Sequence, residues 1–153
     1  MKKEHGLDLL RSEDGGSLVE LAMLLPLFVV LLLGAVDFGR AYYLAIEVAG
    51  AAQAGAAYGS QNPTDTTGMT NAAQADAPNV QNLTVGTPTY GCECSDGTNY
   101  SASCSSTPSC SSNNVVYRVK VTVQGSYAPL LPWPGIPSTM SLRSSASMRS
   151  AGS

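Results

Sequence analysis

The segment GSLVELAMLLPLFVVLLLGAVDFGR, residues 16–40, decides the architecture of this chain. From Leu21 to Val36 sixteen consecutive residues carry no charge, and the apolar run reaches back across Glu20 to Leu18. At 1.5 Å per residue, a helix from Leu18 to Val36 is roughly 28 Å long, close to the hydrocarbon thickness of a bilayer. A buried core helix would show a polar stripe, and none is present. A secretory signal would end its shorter apolar region at a small-residue cleavage site. Here Asp37, Phe38, Gly39 and Arg40 follow instead. The segment therefore reads as a membrane span in contact with the lipid bilayer.

Its flanks set the orientation. Lys2, Lys3 and Arg11 precede the span, whereas Arg40 is the only basic residue in the twenty that follow. Basic residues are retained on the cytoplasmic side, which predicts a cytoplasmic N-terminus and a C-terminal part on the far side of the membrane. From Ala41 to Tyr117 there is no Lys or Arg, but there are five acids, Glu47, Asp65, Asp76, Glu93 and Asp96. Such a segment is readily translocated.

The remaining composition narrows the function. With 153 residues the chain has room for one ordinary domain, and 12% charged residues is about half the usual share in soluble proteins. The net charge of −3 offers no basic footprint for phosphates, so nucleic acid is not an expected partner. The single histidine, His5, precedes every segment with a folding pattern, and the many serines have no base to activate them. Glu20 and Asp37 lie seventeen helical residues apart, roughly 25 Å, too far to act as a catalytic pair. No enzyme active site, catalytic residue or cofactor site emerges.

Beyond Arg40 the helical pattern continues through AYYLAIEVAGAAQAGAAYG, residues 41–59. Ala41, Ala45 and Ala49 form one row of small residues, and Ala51, Gly55 and Gly59 another. Such rows admit a close neighbour, either this chain's own sheet or other copies and partner subunits. The helix is predicted over Ser17–Tyr58 and stops at Gly59, Asn62 and Pro63. A short second helix is expected over Met69–Ala77, ending before Pro78. Val80–Tyr90 is an expected edge strand interrupted by Pro88. Val115, Tyr117, Val119, Val121 and Val123 alternate with a largely polar set, the clearest strand pattern in the chain. Leu130–Pro137 (LLPWPGIP), with three prolines, cannot be regular structure. Its Trp133 reads as cover for a small core or as an anchor for a partner. Met140, Leu142, Ala146 and Met148 suggest a last strand. The expected class is α+β: a long N-terminal helix, transmembrane in its first half, packed on a small antiparallel sheet.

Cys92, Cys94, Cys104 and Cys110 are spaced C-x-C-x9-C-x5-C. Zinc sites show two C-x2-C-like pairs, which this spacing lacks, so no metal is expected. An oxidising compartment, an even count and a Ser-, Thr- and Asn-rich surround favour disulfides stapling the loop 91–114. A Cys92–Cys94 bond would strain a tiny ring. Two pairings stay open: Cys92–Cys104 with Cys94–Cys110, or Cys92–Cys110 with Cys94–Cys104.

The polar leader meets the span at Gly15, Gly16, Ser17, Leu18, Val19 and Glu20. A short charged leader, a glycine, four uncharged residues and a glutamate opening an apolar helix form the arrangement of type IV prepilins. Cleavage after Gly15 makes Gly16 the new N-terminus and Glu20 the fifth mature residue. An acid at the edge of a membrane helix is costly and needs a partner, which a neighbouring subunit's amino terminus can supply. The plainer reading has Glu20 marking the membrane boundary. GGSLVELAMLLP (Gly15–Pro26) followed by LGAVDFGR (Leu33–Arg40) resembles the TadE-like family of pseudopilin or minor-pilin-like proteins of the tight-adherence (Flp) pilus. A weaker likeness runs from Val115 to Arg149. The resemblance implies a subunit for pilus assembly and surface adhesion, with prepilin peptidase, other pilin-like subunits and inner-membrane assembly proteins as partners. It divides the chain into a leader (1–15), a membrane and extended helix (16–60) and an outer domain (61–153). The alternative is a single-pass, membrane-anchored periplasmic binding module outside any filament.

Overall fold

The computed structural model describes residues 16–102, 104–106, 108–111 and 114–150. Helix α1 spans Gly16–Gln61, 46 residues with Pro26 inside it. Proline at that position frees the carbonyl of Ala22 from its helical bond, a defect tolerated where neighbouring groups can satisfy it. The chain divides into two compact units, up to Gly39 and from Arg40 onward. In the first unit the described residues are all helical, and the large apolar side chains from Leu18 to Val36 stand exposed. This helix is long and apolar enough to cross a membrane, as expected for a single anchor.

The second unit contains the remainder of α1, then α2 (Thr66–Asp76), β1 (Thr84–Val85), β2 (Thr89–Cys94), β3 (Val115–Tyr127) and β4 (Met140–Ser150). All pairings in the sheet are antiparallel, and β3 takes part in every one. β4 pairs with Tyr117–Tyr127, so β1 at Val123–Gln124 and β2 at Val115–Lys120 share the other edge of β3. The α+β class read from the sequence holds.

The core is built from small side chains. Val48, Ala51, Ala52 and Ala56 of α1 meet Val119, Val121 and Val123 of β3, with Met69 and Ala73 of α2 closing one side. Alanines on the helix and valines on the strand let backbone approach backbone, and glycines complete the fit. A Cβ on Gly55 would stand 3.0 Å from both Val121 Cγ1 and the Met69 carbonyl, and one on Gly59 only 2.8 Å from Met69 Sδ. The Ala51–Gly55–Gly59 row therefore packs on this chain's own α2 and β3, which removes it from the surfaces offered to other subunits.

Three element boundaries differ from expectation. α1 runs three residues past Tyr58, to Gln61, before Asn62 and Pro63 stop it. α2 starts at Thr66 because Asp65 caps it, its carboxylate accepting from the Gly68 N–H at 2.8 Å. The single strand expected over Val80–Tyr90 is two, β1 and β2, with Pro88 in the gap because it has no N–H for the ladder. The β3 alternation is as read, with Val119, Val121, Val123 and Tyr127 buried.

Candidate functional site

Gly15 lies outside the described residues. Gly16 opens α1 with nothing within 4 Å of where a Cβ would sit, and Glu20 is exposed on the helix's second turn. The following apolar side chains present an unbroken greasy surface.

The cysteine loop grows from the end of β2. Cys92 and Cys94, two residues apart, are both buried, and so is Glu93 between them. Cys94 is bonded to Cys110 (S–S 2.02 Å, Cα–Cα 5.4 Å). Cys92 is buried beside the half-buried Cys104, and the two side chains are hydrogen-bonded. Burial first, and then that contact with Cys92, pushes the Cys104 thiol up to about 11. The Cys94–Cys110 bond belongs to the first of the two pairings left open by the spacing, while Cys92 and Cys104 are not joined by a disulfide.

The loop also carries its own polar scaffold. The Cys92 N–H donates to the Ser101 carbonyl (2.9 Å) and the Ser101 N–H to that of Cys92 (2.7 Å). The Asn99 amide donates to the Ser109 carbonyl at 2.8 Å. The Asp96 carboxylate accepts from the Thr98 N–H (3.0 Å) and hydroxyl (2.7 Å), which hold its pKa below the usual carboxylate range. Gly91 is required here, since a Cβ would stand 2.6 Å from the Ser101 carbonyl.

The sheet face carrying the polar residues of β3 bears a feature that the sequence patterns did not single out. Arg118 and Lys120 line an open groove of about 590 Å³ with the hydroxyls of Thr89, Thr122, Ser145 and Ser147. Glu93, 5% exposed, makes an ion pair with Arg118, whose Nη1 also donates to Ser147 Oγ at 3.3 Å. Arg118 Nε is buried without a hydrogen-bond partner. The signal available was positional: strand alternation puts Glu93 on the face opposite Cys92 and Cys94, beside the even-numbered residues of β3.

At the other end of β3, Arg40 lies over the Tyr127 ring, 5.9 Å from its centroid, within cation–π range. The β3–β4 loop leaves from Tyr127. Trp133, expected as core cover or partner anchor, is half-buried in this loop and is not among the residues packed on the core. Among the described residues no cluster of three or more His, Cys, Asp or Glu is placed to hold a metal ion.

These features are those of a small, disulfide-bearing α+β unit on a chain with one helix long and apolar enough to cross a membrane. Residues 15–57, the first and larger part of α1 with the residue before it, match the model of the family described as TadE-like protein. Neither curated proteins nor solved structures show a match to the chain.

Proposed function

We propose that this chain is a minor-pilin-like (pseudopilin) subunit of a tight-adherence pilus, inserted through residues 18–36 with its head in the periplasm. The observation that carries the reading is the TadE-like match over residues 15–57, on a continuous helix whose first half is apolar and exposed. Prepilin peptidase removes the leader after Gly15. The new amino terminus at Gly16 and the carboxylate of Glu20 then have opposite charge, so Glu20 of one subunit pairs with the terminus of the next while the greasy helices associate laterally. In the periplasm Cys92 and Cys104 lose two protons and two electrons to a thiol–disulfide oxidant and close a second bond, which fixes the loop.

Intact-mass measurement of protein from the native membrane, with and without reduction, tests this. Loss of residues 1–15 together with a reduction gain of four hydrogens is the expected result. An uncut leader overturns the subunit reading.

A second reading, a permanently anchored periplasmic binding module, draws support from the groove at Arg118 and Lys120. Cations interleaved with hydroxyls suit an anionic, hydroxyl-rich ligand. An intact leader combined with loss of ligand binding in Lys120→Gln would favour it.

A further inference from the structure

We propose that the β3–β4 loop, residues 128–139, is a second lipid contact, seated in the headgroup and upper-acyl layer of the bilayer face from which the head emerges. The proposal rests on the reading of residues 18–36 as a membrane span.

Its chemistry is that of an interfacial segment. From Val121 to Leu142 the chain carries no charge, and the loop itself reads APLLPWPGIPST. Leu130 is 57% exposed, Ile136 46% and Leu131 37%, a partly exposed apolar cluster that water solvates poorly. Trp133, half-buried, stands between them; tryptophan concentrates at membrane interfaces because its ring is apolar and its N–H seeks a polar partner. The loop meets part of its own backbone demand. The Trp133 N–H donates to the Leu131 carbonyl (2.9 Å) and the Ile136 N–H to that of Trp133 (3.1 Å), while the prolines have no N–H to satisfy. A loop so arranged tolerates a partly dehydrated setting better than one with open donors.

Its place in the head supplies the occupant. Along the core, Gly59 sits against Val119, Gly55 against Val121 and Gly125 against Val48, and Tyr127 lies under Arg40. β3 therefore runs antiparallel to α1 within the head and delivers its loop at the Arg40 end. Arg40 follows the last residue of the apolar span, Val36, by four positions in the sequence. Tyr42 and Tyr43, exposed at the same end, add the aromatic girdle found where helices leave a bilayer. An apolar loop at the Arg40 end of the head, where the chain passes from the span into the head, has the bilayer as the apolar phase to which the chain itself leads.

Trp133 is the only tryptophan in the chain, so its fluorescence reports this loop alone. The full chain is reconstituted in phosphatidylcholine vesicles whose acyl chains carry bromine near the headgroup, and its emission is compared with that in unbrominated vesicles. Contact predicts a roughly twofold loss of intensity and weak quenching by aqueous acrylamide. The double variant Leu130→Ser, Ile136→Ser should lose most of that bromine quenching while still floating with the vesicles. Undiminished emission in brominated vesicles, with free acrylamide quenching, overturns the loop contact and leaves the span intact. Emission that changes with the protein-to-lipid ratio but not with bromine assigns the loop to a second copy and also overturns it. A chain that does not float with the vesicles overturns both the span and the loop contact.

Discussion

Gly55 of α1 and Val121 of β3 approach so closely that a Cβ at position 55 would lie 3.0 Å from Val121 Cγ1. The Met69 carbonyl, a backbone atom with little freedom to withdraw, blocks the same space at 3.0 Å. Gly55→Leu should therefore lower the stability of the head by roughly 1–3 kcal/mol, the usual cost of overpacking. Gly39→Ala is the contrast, since nothing lies within 4 Å of its Cβ position and alanine gains helix propensity. Thermal midpoints of the full chain in detergent should fall for the first variant and rise slightly for the second. An unchanged midpoint for Gly55→Leu would mean that the helix does not seat on the sheet this closely.

The bond between Cys94 and Cys110 closes a loop with a sequence separation of 16, for which the chain-entropy estimate is about 3 kcal/mol. Cys94→Ser should lose roughly that amount in denaturant unfolding. Where Cys92 and Cys104 are both thiols, the raised Cys104 pKa keeps it protonated, and hence slow to alkylate, at neutral pH. Its alkylation should accelerate about tenfold per pH unit up to about 11. Fast labelling of Cys104 at pH 7 in the folded protein would contradict its burial beside Cys92.

The span, the α+β class and the inward face of β3 were legible in the sequence because each rests on a period or a length. Sixteen uncharged residues and the valine alternation at 119, 121 and 123 have few other solutions. The split at Pro88 was visible as a proline, but whether it marked an edge or a break depended on the β3 register. The start of α2 was misplaced because Asp65 caps Gly68 in a stretch with little apolar pattern to announce it. The Glu93–Arg118 pair was hidden for a different reason. Twenty-five positions separate the two residues, and only the antiparallel register of β2 on β3 brings them together. Sequence patterns report which face a residue takes, and long-range partners follow only from the pairing.

Asp65 ties the end of α1 to the start of α2, accepting from the Gly68 N–H at 2.8 Å and from the Tyr58 hydroxyl at 2.7 Å. The Gly68 bond first, and the Tyr58 bond second, hold its pKa below the ordinary carboxylate value, while the Asp65 contact raises that of Tyr58. A depressed folded pKa stabilises the fold above the unfolded pKa, and that contribution disappears as pH falls through the folded value. The thermal midpoint of the wild-type head should therefore drop on acidification below the ordinary Asp range. Asp65→Asn should start lower at neutral pH and show a shallower acid-side decline. Parallel wild-type and variant curves across that window would rule out Asp65 as a source of acid sensitivity.

Glu93 is buried and its carboxylate faces Arg118, whose side chain stays 35% exposed. The two residues are therefore not equivalent when removed. Arg118→Met leaves a buried carboxylate without its cation and should cost about 2 kcal/mol, less than a fully buried pair would because water reaches the site. Glu93→Gln leaves a guanidinium that can hydrate through its exposed part, so its cost should be about half as large. In the double variant Glu93→Gln, Arg118→Met no charge remains to be stranded, and the loss should be smaller than the sum of the two single losses. Denaturant unfolding of the four proteins, run as a double-mutant cycle, measures that difference. Additive losses would show that the pair contributes nothing jointly.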